Sequence, residues 1–265
     1  MLLIAGTAHA VAAAPAHGDR VLRVCADPNN LPYSSEHATG FEQEIANVLA
    51  HELGARVEYT WWPQRRGFIR NTLKAEKCDV VIGVPKALDM VRTTAPYYRS
   101  TFVFVSRDDR ALDLRSLDDP RLRELRIGVQ LVGDDGANPA PAHCLAARGI
   151  VDNVVGFTVY GDYAQDSPAA DVIRAVADGK VDVAIVWGPL AGGAAKRSKT
   201  PLRIVPVAER EDRGLPLAFD IAIGVRRPDK ALAAELDRAL AARKVDIEKI
   251  LDRWGVPRIS EEDHR

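Results

Sequence analysis

Residues 61–71, "WWPQRRGFIRN", concentrate side chains that could meet a ligand or a partner. Arg65 and Arg66 supply paired guanidinium groups, a type suited to forking carboxylates through two parallel N–H bonds. Trp62 and Gln64 flank them with an aromatic face and an amide. The arginines stand where a strand-like run passes into a helix-like one, and cations at a helix start oppose its dipole. They need anionic company, for which Asp27, Asp89 and the Asp134–Asp135 pair are candidates within the chain. An inter-lobe latch to the "GDD" loop and a partner interface are two readings. The third is plain structure: Trp61 packed inside, Pro63 fixing the turn, and both arginines in ordinary salt bridges.

Other loops add candidates. "ADPNNLPY" carries Asp27, Asn29, Asn30 and Tyr33, and "GVPKALDM" begins near Pro85. "APYYRS" holds Tyr97 and Tyr98, "IGVQLVGDDGAN" holds Gln130, Asp134 and Asp135, and "VWGP" holds Trp187. Asp134 and Asp135 suit the start of a helix as caps. They form a weak metal signal, since hard cations want several oxygens from one loop. Neither a metal site nor a cofactor is implied. Catalysis lacks support too: there is no Gly-x-Ser-x-Gly elbow, His-Glu-x-x-His or Walker loop, and His37, His51 and His143 are isolated.

The elements that must position these loops alternate. "VLRVCADP", "ARVEYT", "CDVVIGVP" and "TFVFVSR" read as strands, "GFEQEIANVLAHELG" as an amphipathic helix closed by Gly54, and "GFIRNTLKAEK" as a short helix. The pattern then restarts with "LRIGVQ", "NVVGFTVYG", a helix in "DSPAADVIRAVADG" capped by Ser167, and "VDVAIVWGP". "EKCDVVIGVP" and "GKVDVAIVWGP" echo each other, so one α/β plan is used twice. "LRIVPV" and "AFDIAIGVRR" follow as strands, and two amphipathic helices carry Leu232, Leu236 and Leu240, then Ile247, Ile250, Leu251 and Trp254. Such alternation predicts mainly parallel sheets with helices on both faces. One bilobal fold follows: 19–107 plus 213–265 as lobe 1, and 110–208 as lobe 2, each with a parallel-rich sheet, joined by two crossing strands.

The chain has 265 residues and a net charge of −1, which gives no nucleic-acid footprint. Residues 1–18 are apolar and Ala-rich, too short for a stable membrane span, and read as an incomplete secretory signal. The mature chain then carries no membrane span. Of the three cysteines, Cys25 and Cys78 border strands expected to be neighbours and form the favoured disulfide in an oxidising compartment. Three small apolar core residues are the alternative.

The order "GFEQEIANVLAHELG", "VEYTWW", "LKAEKCDVVIGV", "APYYRS" resembles the bilobal periplasmic solute-binding proteins of family 3. "RVCADPNNLPYS", "WWPQRRGFIRNTL", "TTAPYYRS", "IGVQLVGDDGANPAPAHCLAARGI" and "VYGDY" are similar to a subgroup associated with PQQ-dependent quinoprotein alcohol dehydrogenases of the methanol type, the MoxJ/XoxJ type. The resemblance implies a non-enzymatic periplasmic accessory protein whose partner is that dehydrogenase, with its c-type cytochrome as a further candidate. It also implies that the amino-acid kit of the wider family is lost. The segment "GVPKALDMVRTT" lacks the Thr-Pro-Glu-Arg turn that forks a carboxylate, "GDDGAN" would repel one, and Trp187–Gly188 replace the acid that holds an amine. A receptor that delivers a small non-amino-acid solute to an ABC importer is the alternative.

Overall fold

A computed structural model describes residues 20–132, 138–158, 163–165 and 167–260. Nine strands of five residues or more run in chain order: β1 Val21–Ala26, β2 Arg56–Trp61, β3 Val80–Pro85, β4 Tyr98–Arg107, β5 Ile127–Leu131, β6 Val154–Thr158, β7 Val183–Trp187, β8 Leu202–Pro206 and β9 Ala218–Val225. The helices are α1 Phe41–Glu52, α2 Phe68–Asn71, α3 Ala140–Ala146, α4 Asp171–Ala177, α5 Gly188–Arg197, α6 Lys230–Ala242 and α7 Lys244–Arg253. None is long and apolar enough to cross a membrane.

One sheet has the order β2-β1-β3-β9-β4, and a second has β4-β7-β5-β6 with β8 also on β4. β4 belongs to both. Its residues 98–101 pair with β9, while residues 102–107 pair with β7 and β8. The β1–β2, β1–β3, β5–β6 and β5–β7 pairs are parallel. The antiparallel pairs among the nine strands all involve β4 or β9, the strands that cross between sheets. The sheets are thus mixed, each built on a parallel set.

The sequence echo has a physical counterpart. Asp79 precedes β3 and takes Nε and Nη2 of Arg23, on β1, at 3.0 and 2.6 Å. Asp182 precedes β7 and takes Nε and Nη2 of Arg126, just before β5, both at 3.1 Å. In each case the Asp backbone N–H also donates to the arginine carbonyl. Each bidentate pair fixes the register of two parallel neighbours. The Arg126 hydrogen bonds hold the Asp182 carboxyl down at about 2. Burial raises that of Asp79, yet hydrogen bonds from Arg23 and Arg226 leave it below the usual range.

The cores follow the periodicities. Phe41, Ile45 and Leu49 of α1 pack with Leu22, Val24, Ile82 and Ile223 of the first sheet, and Leu236, Ile250 and Leu251 join them. β7 is buried on both faces. Val183 and Ile185 enter the cluster with Leu114, Ile127 and Leu145, whereas Ala184 and Val186 face Val172, Val176 and Leu190. Cys25 and Cys78 form the disulfide, with Cα atoms 5.5 Å apart, and Cys144 is free and buried.

Three local expectations change. The helix after "WWPQRR" closes at Asn71, and turns carry the chain on to β3. Ser167 has φ of 50° and no side-chain capping bond; a 3-10 turn, Pro168–Ala170, leads into α4 instead. "GPLAGGAAKR", whose glycines and proline suggest a loop, is helix α5. Its glycines permit close packing. A Cβ on Gly192 would lie 1.9 Å from the Gly255 carbonyl oxygen, and one on Gly193 would lie 2.3 Å from Cβ of Pro32.

Candidate functional site

A cavity of about 360 Å³ lies between loops of the two sheets. One wall comes from the loops after β1 and β2, the start of α1 and Gly83 of β3; the other comes from Gln130, Tyr163, Pro168, Ala169, Trp187 and Leu190. This is the carboxyl end of the parallel strands, where α/β folds place ligands.

Asp27 organises the first wall. It is 3% exposed, because β1 ends there and the chain turns back over it. Its Oδ1 accepts from the Asn29 backbone N–H at 2.8 Å, and its Oδ2 from the Gln64 backbone N–H at 2.6 Å. Oδ2 also accepts the Tyr163 hydroxyl at 2.5 Å, from the opposite wall. Asn29 crosses as well: its Nδ2 donates to the Gln165 carbonyl at 2.8 Å, and the Ser167 N–H donates to its Oδ1 at 3.0 Å. The Arg65 guanidinium lies 4.8 Å from the Tyr163 ring centroid, a cation–π distance. Burial and the Asp27 carboxylate raise the Tyr163 phenol above its usual range, which keeps it a donor.

These bonds make a tether between the walls. Tyr163→Phe deletes one donor to a carboxylate and should cost about 1.5–3 kcal/mol in urea unfolding. Asp27→Ala, which strands three donors, should cost more. Equal stabilities for both variants and the parent would rule the tether out.

Glu42 is the second carboxyl. It follows the Gly-Phe start of α1 and lines the cavity, and no side-chain hydrogen-bond partner for it exists among the described residues. Burial, then the charge of Asp27, pushes it up to about 8. Gly83, at φ +78°, makes room for it: a Cβ there would lie 1.9 Å from Glu42 Oε1. Tyr33, Tyr59 and Tyr97 stand around this carboxyl, and burial followed by the Glu42 charge raises each phenol. The Tyr59 hydroxyl is buried with no partner among the described residues.

Of the residues singled out in the sequence, Asp27, Asn29, Asn30, Tyr33, Gln64, Gln130 and Trp187 converge on this cavity. Others do not line it. Trp62 packs beside Cys25 and Phe68 under Lys77, whose Nζ is 4.4 Å from its ring centroid. Pro85 is exposed at the end of β3, and Arg65 and Arg66 are exposed beside the mouth. Tyr98 is buried in the first core, and Tyr97 packs against it with ring centroids 5.0 Å apart. Trp187 meets Phe102 and Phe219 edge-on. Asp134 and Asp135, and with them the proposed latch to Arg65 and Arg66, lie outside the described residues.

Sequence reasoning missed Glu42 and Tyr163. The acid of "GFEQE" was read only as part of a helix start, and Tyr163 ends the "VYGDY" motif without a role assigned to it. Among the described residues, no lysine or arginine lines the cavity. Among the described residues no group of three or more His, Cys, Asp or Glu is placed to hold a metal ion.

Comparison with known proteins agrees with this architecture. The family model of bacterial extracellular solute-binding proteins, family 3, matches residues 22–257. Protein MoxJ of Methylorubrum extorquens is 36% identical over 246 residues, covering 89% of this chain and 81% of that protein. Protein MoxJ of Paracoccus denitrificans is 31% identical over 266 residues, covering 96% and 95%. The crystal structure of periplasmic binding protein XoxJ from Methylobacterium extorquens AM1 superposes with a TM-score of 0.75 at 37% identity, covering 91% of this chain and all of that one. The chain therefore belongs to the bacterial extracellular solute-binding proteins, family 3, and stands there beside the MoxJ and XoxJ proteins.

Proposed function

We propose that this protein is a periplasmic accessory protein that binds a PQQ-dependent alcohol dehydrogenase of the methanol type and assists its maturation or activation. Segments 19–107 with 213–265, and 110–208, act as its two lobes. The observation that carries this reading is the state of the cavity. A zwitterion receptor needs a cation for the carboxylate, and the cavity walls present Asp27 and Glu42 instead. The polar groups at its mouth are also spent on the chain itself: Asp27 takes three donors, and Asn29 spans to Gln165 and Ser167. A cleft tethered in this way is a shape to be recognised by a partner. The similarity to MoxJ and XoxJ points to the same system.

Capture of a PQQ-dependent alcohol dehydrogenase of the methanol type, in apo and in PQQ- and metal-loaded forms, tests it. Retention of either form, alone or with its c-type cytochrome, supports the proposal; retention of neither sinks it.

Glu42 favours one second reading. A carboxyl that keeps its proton to about pH 8 offers a neutral donor and acceptor beside aromatic walls. That chemistry suits a small uncharged solute carried to an importer. Thermal shift against short alcohols, aldehydes, amino acids and PQQ separates the readings. A ligand at a hundredfold excess over its Kd stabilises by about 2.7 kcal/mol.

A further inference from the structure

Beyond α7 the chain runs on along β4. Gly255, at φ +64°, closes the helix: its N–H donates to the Asp252 carbonyl at 3.0 Å, and the Val256 N–H donates to the Leu251 carbonyl at 2.9 Å. The root of this tail is fixed in the half built on the first sheet. The Trp254 ring lies 6.4 Å from that of Phe41, and its indole N–H donates to Glu44 at 2.9 Å. Val256 is buried in the first core.

The tail is then held at two further places. At the passage between the sheets, the Ser100 hydroxyl donates to the Pro257 carbonyl at 2.6 Å, and the Ile259 N–H donates to the Arg99 carbonyl at 3.1 Å. Both β4 residues stand just before that strand leaves β9 for β7 and β8. The other place is α5, which belongs to the half built on the second sheet. Lys196 Nζ donates to the Asp252 carbonyl at 3.0 Å, and a Cβ on Gly188 or on Gly192 would lie 3.3 Å from the Pro257 ring. The backbone of Gly192 sits directly on that of Gly255, and Gly193 meets Pro32 of the first half. Among the described residues, none of 254–259 lines the inter-sheet cavity.

A hinge between two halves needs crossing strands that are free to change φ and ψ, and flanks that are free to part. Here the crossing of β4 is hydrogen-bonded to the tail. The flank is a backbone-on-backbone seat, with no flexible side chain to take up a rotation. We propose that segment 254–259 is a brace that, seated on α5 and on the crossing of β4, holds the two halves at one angle, so that the cleft is preset and does not close on a ligand. This deepens the reading of the protein as a shape recognised by a partner, and rests on that reading for its purpose. A partner that meets a preset cleft need not supply the energy of closure.

Spin labels at Asn47→Cys on α1 and Val151→Cys before β6, both exposed positions, report the angle by pulsed dipolar distance measurement. Cys144 is buried and Cys25 is bridged to Cys78, so the labels go to the two new thiols. The labelled parent should give one narrow distance peak. Gly192→Ala should broaden it or add a second, because a methyl group 1.9 Å from the Gly255 oxygen forces the seat apart. Alanine also favours helix over glycine, so α5 itself is not endangered. Ser100→Ala removes a hydrogen bond at the crossing without adding bulk, and should broaden the peak less. Tyr163→Phe cuts only the cavity-side tether and should leave the peak narrow.

A broad peak in the parent would overturn the proposal. So would an unchanged peak in Gly192→Ala, or in Ser100→Ala where the first variant does not fold. Widening in Tyr163→Phe to the extent seen in Gly192→Ala would overturn it too, by assigning the hold to the tether. The measurement contains no dehydrogenase. A mobile hinge with successful capture therefore ends the brace and leaves the accessory reading standing, and a narrow peak with failed capture does the reverse.

Discussion

Replacing Cys25 and Cys78 together by alanine should remove about 4 kcal/mol of folding stability. The bridge spans 53 residues of sequence, and both cysteines are buried. In the chain-entropy account, a cross-link over a loop of that length narrows the unfolded ensemble by roughly 4 kcal/mol at 25 °C. The bridge ties β1 to the residue before Asp79, beside the Arg23–Asp79 pair, so the two strands it restrains carry the wall holding Asp27 and Gly83. Urea unfolding of the parent and the double variant measures the effect. The midpoint should fall, and the slope should rise as the freed unfolded chain exposes more surface. Reductant added to the unfolded parent should bring its refolded midpoint to that of the variant. Superimposable curves would show that the bridge adds nothing.

The second large effect lies at Glu42. In the folded chain its carboxyl keeps a proton up to about pH 8, against an ordinary value of 4.5. Between those two values the native state holds more protons than the unfolded state. Stability therefore falls as pH rises through the window, by at most about 1.4 kcal/mol per pH unit from this group, and levels off above it. Glu42→Gln keeps the shape and removes the titration. The two proteins should be nearly equal near pH 4.5. By pH 8.5 the glutamine form should be more stable by roughly 3–5 kcal/mol, an upper range since burial here relaxes in part. Other titrating groups, Asp79 and Asp182 among them, are common to both chains and cancel in the difference. Stability curves that run parallel from pH 5 to pH 8.5 would contradict a raised Glu42 carboxyl that has no hydrogen-bond partner among the described residues.

Much of the fold was legible because its signals are local. The β-branched run of 80–85 and the i, i+3, i+4 stripe of 41–53 need no tertiary information. The disulfide was legible one step later, from strand adjacency. Helix α5 was not, because Gly188, Pro189, Gly192 and Gly193 are turn residues by local rules. Their use here is spatial: they let the helix meet Gly255 and Pro32, which are distant in sequence. The site divided along the same line. Asp27, Asn29, Asn30 and Gln64 stand on loops that end parallel strands, so topology alone brings them together. Glu42 could not be found that way, since its role depends on a void created by the positive φ of Gly83 in another strand. Trp62 looked exposed to ligand by type, yet the short α2 turns it toward the disulfide.

The shared strand β4 has a consequence for how the chain acquires its structure. β9 pairs with β3 between Ile221 and Pro85, partners 136 positions apart (221 − 85). β5, β6, β7 and β8 instead find each other and the end of β4 within one contiguous stretch. The second sheet can thus close from local contacts as soon as its residues emerge. The first sheet must wait for the C-terminal third of the chain, with the edge of β3 unpaired in the interval. Long-range pairing of this sort is slow, and an open edge invites association with other chains. A chain that enters its compartment unfolded would pass through that exposed state during every synthesis, so the yield of native protein depends on how soon β9 arrives.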